Sequence, residues 1–146
     1  MSNDPAPERP LAPADCDTRG WWDATRRREL VVQRCDSCGH AQHYPRAICT
    51  TCGGSELSLQ LTQGRGEVET FTVVYRAPTP AFTAPYTVAF VRLLEGPVFM
   101  TNIVGCAVDD VRIGLKVSVQ WEPHPDGRNI PVFTPEGGQH GFPADR

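Results

Sequence analysis

Four cysteines stand in two matched knuckles, Cys35-Asp36-Ser37-Cys38-Gly39 and Cys49-Thr50-Thr51-Cys52-Gly53. Two residues between paired cysteines let one tight turn aim both sulfurs at a single ion, and the glycine that follows supplies the positive φ such a turn needs. The pattern predicts a tetrahedral four-thiolate site built from Cys35, Cys38, Cys49 and Cys52. Zinc is the first choice, and iron is the alternative that the same donor set admits. Four ligands leave no position for water or substrate, so the expected role is to hold a small fold together. His40 and His43 flank the knuckles but are not needed to complete the shell. Paired redox dithiols are a weaker reading, because a thioredoxin-like motif has one CxxC beside a βαβ pattern, and here there are two with no such pattern.

Other chemistry is sparse. Glu67 and Glu69 imitate a carboxylate pair, but residues two apart on a strand share a solvated face. His124 approaches a hairpin and His140 lies in the C-terminal tail, neither beside a nucleophile. Gly64-Arg65-Gly66 lacks the lysine and following helix of a phosphate loop. No nucleophile with its base and no open metal site is visible, so the chain is not expected to be an enzyme on its own. Cys16 and Cys106 lie far from both knuckles, and Cys106, within Ile103-Val104-Gly105-Cys106-Ala107, reads as a small packed apolar residue.

The elements that must position the cysteines follow from pattern. Residues 1–16 carry four prolines and little large apolar surface, and are expected to form a disordered arm. Residues 17–56 read as a short helix plus the metal ribbon. Asp17 or Thr18 is the candidate N-cap, and Glu29 to Arg34 is a strand entering the first knuckle. Trp21 and Trp22 are successive on that helix. One is expected to pack inward and the other to face out, making the pair a candidate docking surface for a partner, with internal packing of both as the plainer alternative.

From residue 57 to 135 the chain is β-patterned, with strands predicted near 57–63, 66–76, 86–95, 97–104, 115–122 and 129–133. Residues 136–146 are expected to be a mobile tail. The fold class is therefore mainly β: a short N-terminal helix and a four-cysteine zinc ribbon, then a small antiparallel OB-fold-like barrel, with an SH3-like barrel second.

Composition narrows the partners. Fourteen basic and seventeen acidic residues give a net charge of −3, and Lys116 is the single lysine. A single-stranded nucleic-acid groove needs a basic track, so nucleic-acid binding by the barrel is the weaker functional alternative. No export signal or spanning apolar run is visible, which predicts a cytoplasmic protein with reduced cysteines and no membrane partner.

The order of features resembles a known family. CDSCGHAQHYPRAICTTCGG, the GRGEVETFTVVYRAPTPAF segment, PYTVAFVRLLEGP, IGLKVSVQWE and IPVFTP, over roughly residues 17–135, are similar to the zinc-ribbon and OB-fold proteins that accompany acyl-CoA enzymes. The resemblance implies a non-catalytic accessory subunit, in a hetero-oligomer with a thiolase-like aldolase or acyltransferase, or with a hot-dog hydratase, in lipid or steroid side-chain metabolism. It implies structural zinc at the four cysteines and acyl-CoA held on the barrel side. CoA wants an arginine, an aromatic face and free backbone groups, so Arg76, Phe82 and Tyr86, framing the Pro-rich loop 76–85, are the candidate ligand residues. A ribbon that serves only as an interaction module, without a small ligand, is the remaining alternative.

Overall fold

The computed structural model describes residues 7–137. Helix α1 (Arg19–Arg26) leads into strands β1 (Val31–Cys35), β2 (Ala41–Gln42) and β3 (Leu57–Leu61). Strands β4 (Arg65–Val74), β5 (Tyr86–Leu93), β6 (Val98–Ile103), β7 (Lys116–Pro123) and β8 (Asn129–Pro135) follow, with a 3-10 turn at Val108–Asp110 before β7. Of the two expected candidates, Thr18 is the N-cap residue of α1, and the start of the helix is organised by Asp15. Its carboxylate accepts from the Thr18 N–H at 2.8 Å and from the Thr18 hydroxyl at 2.8 Å, while Thr18, the N-cap residue, makes no capping bond of its own.

The strands form two sheets. The ribbon sheet has the order β2-β1-β3, and the barrel closes as β4-β5-β6-β8-β7, with β4 bonded back to β7. The β6–β8 contact is parallel and the other barrel pairings are antiparallel. That order is the OB-type Greek key and not the SH3-like alternative. The blurred alternation of β4 has its reason here: the strand is shared by β5 and β7, and a bulge between Val68 and Thr70 bends it around the barrel.

One boundary is corrected. The sequence reading places residues 57–63 in the barrel, whereas β3 pairs with β1 along its whole length, from Val31–Leu61 to Cys35–Leu57. The barrel begins at Arg65. The first strand after the knuckles carries no mark of which sheet it joins, because both neighbours offer an edge of similar pattern.

A second correction concerns the tryptophans. Trp21 and Trp22 are both buried, 3% and 8% exposed, so neither faces a partner from this chain. Successive helical residues lie about 100° apart, and a helix covered on two sides buries both on one broad face. Here that face includes Ala24 and Thr25 and lies against β1 and β8. Trp21 is the hinge of the packing: its Nε1–H donates to the Val31 carbonyl at 3.0 Å, and its ring lies 6.0 Å from Phe99 of the barrel. The ribbon's Leu30 to Val32 and the barrel's Val68, Val91, Val117 and Phe133 accordingly belong to one continuous apolar cluster.

His43 is set in this junction, with its ring centroid 4.5 Å from Phe99 and 5.5 Å from Trp21. Burial lowers its pKa from 6.5 to about 4, since the charged ring is disfavoured there. Between those values the unfolded chain binds more protons than the folded one, so stability falls as pH falls through that window. With zinc kept saturating, the denaturant stability is expected to drop by about 2–3 kcal/mol between about pH 7 and about pH 4.5. His43→Phe should flatten that decline, as read from urea midpoints at each pH.

The expected disordered arm is in part ordered. Residues 7–16 lie on the folded unit, with Leu11 against the core cluster and Arg9 bonded to Asn102 and Glu122. Polar and proline-rich composition hid these contacts, which are made by two long side chains rather than by an apolar run. At the other end, Glu136 pairs with Arg65 at 2.6 Å, while residues 138–146 of the predicted mobile tail, including His140, lie outside the described residues.

Candidate metal centre and ligand groove

The two knuckles share one geometry. In each, the glycine N–H donates to the carbonyl of the first cysteine at 2.9 Å, Gly39 to Cys35 and Gly53 to Cys49. These glycines have φ of 77° and 75°, as the spacing requires. Cys35 N–H donates to the His40 carbonyl and Cys49 N–H to the Gly54 carbonyl, which closes each turn.

The four sulfurs lie within 4.8 Å of one another, with Cys35–Cys52 at 3.6 Å and Cys38–Cys49 at 3.7 Å. Zinc–sulfur bonds of about 2.3 Å define a tetrahedron with edges of about 3.8 Å, so the arrangement fits the ion. Backbone N–H groups of Thr51 and Gly54 point at the Cys49 and Cys52 sulfurs, each at 3.4 Å. The N–H groups of Cys52 and Thr51 lower the Cys49 thiol to about 6, favouring the thiolate that a metal needs. His40 turns its Nε2 to the Thr50 hydroxyl and His43 faces the aromatic junction; among the described residues the clustered donors are the four cysteines alone. The site is a structural zinc site.

Two glutamines that the sequence reading passed over set the knuckles' relative position. Gln33 of β1 and Gln42 of β2 are buried and bonded to each other at 2.7 Å. Gln33 also takes the Arg46 N–H and donates to the Arg46 carbonyl, while Gln42 takes the Thr50 N–H and donates to the Ile48 carbonyl. The irregular chain between Tyr44 and Cys49 is thereby sewn to the sheet. The signal was available: Gln33 shares its strand face with Val31 and Cys35, both of types that pack inward.

The second feature is a groove on the barrel, bounded by the loop after β4, the β7–β8 turn and β6. Phe82 and Tyr86 stack at 5.3 Å with 21° between their planes. They line a cavity of about 280 Å³ together with Asn102, Glu122, His124 and Ile130. An adjoining cavity of about 190 Å³ shares Phe82, Tyr86 and Asn102, and continues to Val88 and Met100. Beyond it the outer sheet face is apolar, with Phe90 44% and Met100 66% exposed. The loop between the first two barrel strands, the loop between the last two, and the face of strands two and three are where OB-folds bind ligands.

Of the predicted ligand residues, Phe82 and Tyr86 come together and Arg76 does not. Arg76 is exposed and lines neither cavity. The arginine at the groove is Arg9, whose guanidinium lies 5.2 Å from the Phe82 ring centroid. Beside it, Asp126 accepts from Arg128 at 2.7 Å, which holds its carboxyl well below the usual carboxylate range, and its other oxygen lies 3.0 Å from His124 Nδ1. Arg9 was missed because it stands in a stretch read as lacking structure.

Residues 22–58 match the family model described as the ChsH2 rubredoxin-like zinc ribbon domain, and residues 60–122 that of the ChsH2 C-terminal OB-fold domain. The probable enoyl-CoA hydratase alpha subunit of Thermomonospora curvata is 37% identical over 127 residues, which cover 87% of this chain and 40% of that protein. The chain therefore spans less than half the length of that relative. A DUF35 domain-containing scaffold protein of Methanocaldococcus jannaschii is 36% identical over 101 residues, 68% of this chain and 72% of its own. Among solved structures, the Ltp2-ChsH2(DUF35) aldolase matches with a TM-score of 0.79 and 37% identity, over 87% of this chain and 98% of that one.

Proposed function

Because the chain belongs to the DUF35 family of ChsH2-type zinc-ribbon and OB-fold proteins, we propose that it is a non-catalytic scaffold subunit that docks on an acyl-CoA enzyme. The partner is a thiolase-like aldolase or acyltransferase, or a hydratase, and the complex acts on lipid or steroid side-chain thioesters in the cytoplasm. The observation that carries this reading is the match over nearly the whole of the corresponding chain in the Ltp2-ChsH2(DUF35) aldolase structure described above. The closed four-sulfur site agrees with it, since such a site supplies rigidity and not Lewis-acid chemistry.

The barrel groove is the acyl-CoA site in this reading. Its aromatic pair, adjacent arginine and apolar extension suit a ligand with a charged head and an apolar end. Nucleic acid suits it less well, because the groove holds Glu122 and one arginine instead of a basic track. Among the described residues no helix is long and apolar enough to cross a membrane.

A tagged pull-down from native cells, followed by assembly mass, tests the scaffold role. Stoichiometric recovery of a thiolase-like or hydratase protein is expected, and a lone monomer or bound nucleic acid would overturn it. Calorimetric titration of the recovered complex with short-chain and steroid side-chain CoA thioesters then tests the ligand.

A further inference from the structure

Among the described residues Arg9 is the one arginine or lysine lining either cavity of the groove, and it arrives on a segment outside both family-matched stretches. Residues 9–12 form a strap tied down on both sides of Leu11. His124 Nε2–H donates to the Arg9 carbonyl at 3.0 Å, and Arg128 donates to the Ala12 carbonyl at 2.7 Å. Arg128 is itself fixed, paired with Asp126 at 2.7 Å and lying 4.4 Å over the Trp22 ring. A chain anchored at these two points has little freedom in where it puts the Arg9 side chain. That side chain donates to Asn102 Oδ1, lies over Phe82, and stands 3.5 Å from Glu122 Oε2. It stays 28% exposed, so part of the guanidinium edge is open to a solute.

We propose that Arg9 is the phosphate-binding residue of this groove, delivered by the strap to a site whose other walls are aromatic and apolar. The inference rests on the acyl-CoA reading and adds to it the ligand's orientation. The two cavities share Arg9, Phe82, Tyr86 and Asn102, so the guanidinium stands at their junction. A CoA thioester lying through both places its phosphates at Arg9 and its acyl arm toward Met100 and Phe90. Arginine meets phosphate through two parallel N–H···O bonds, a stronger contact than the single 3.5 Å approach to Glu122 that it replaces. Glu122 is therefore a competitor for the same guanidinium.

The test titrates the assembled complex with three probes: a CoA thioester, the corresponding pantetheine thioester, which has the acyl end without the nucleotide phosphates, and ADP. Arg9→Met keeps the apolar stem and is expected to weaken the CoA thioester about tenfold or more, while the pantetheine thioester shifts less than about twofold. Glu122→Gln is expected to tighten the CoA thioester several-fold. Equal loss of both thioesters in Arg9→Met, no loss, or tighter binding would each overturn the proposal, the last marking Arg9 as a plug. ADP binding as tightly as the CoA thioester with the same Arg9 dependence would keep the phosphate site and overturn the acyl-CoA reading. A wild-type complex that binds none of the three would overturn both.

Discussion

Cys35→Ser leaves the chain without its zinc and without a folded ribbon. Cys35 is both a buried ligand and the last residue of β1, so its loss opens the metal shell and the end of the sheet together. Structural zinc contributes about 10–16 kcal/mol to small domains of this kind, far more than three short strands and an eight-residue helix supply unaided. Metal analysis should fall from about one zinc per chain to none, and amide resonances of residues 31–61 should collapse. Retained zinc with an unchanged spectrum would mean that the four sulfurs do not form the site described. Cys52→Ser should also release the metal, but its exposed position makes the loss of packing smaller.

Trp21→Ala is expected to cost about 3–5 kcal/mol, the range for deleting a large buried aromatic side chain. The ring touches Trp22 at 4.8 Å, His43 at 5.5 Å, Tyr44 at 5.9 Å and Phe99 at 6.0 Å, and its N–H satisfies the Val31 carbonyl. Those partners come from the helix, the ribbon and the barrel, so the loss is felt in both sheets. Urea unfolding of the wild type should show one transition, and the variant should show an earlier one in which the ribbon separates first. Trp21→Phe keeps most of the ring contact and should lose about 1–2 kcal/mol, mainly the hydrogen bond. An unchanged midpoint in Trp21→Ala would refute the role of this residue in joining the two sheets.

The metal centre was readable from sequence because its chemistry is local: two CxxC turns and their glycines define the donors without reference to the rest of the fold. The barrel strands were also legible, since β-branched runs broken at Gly64, Gly96 and Asp126-Gly127 mark both elements and turns. What sequence did not disclose was long-range pairing. Leu57 to Leu61 could have joined either sheet, and the choice is made by five bonded positions along β1. Sequence could not choose between the docking surface and the internal packing of Trp21 and Trp22, because helix geometry gives their angular separation but not how many sides of α1 are covered. Arg9 was overlooked for a related reason. Its partners, Asn102 and Glu122, are about a hundred residues away in the chain, and nothing in its local composition announces them. Gln33 and Gln42 were a lesser miss, polar side chains whose value lies in the irregular backbone they hold.

The pairing of β1 with β3 also orders events in time. Cys35 stands opposite Leu57, so the whole metal-binding stretch is a loop whose neck is already closed by neighbouring strands. Ends so close in sequence meet quickly, and the ion can be captured as soon as that neck forms. Sealing the barrel instead requires Arg65 to Glu67 to find Lys116 to Ser118, roughly fifty residues downstream, a search that contact-order arguments make slow. A nascent chain would thus acquire its zinc before its last sheet edge is joined, and metal capture would precede the rate-limiting step of folding.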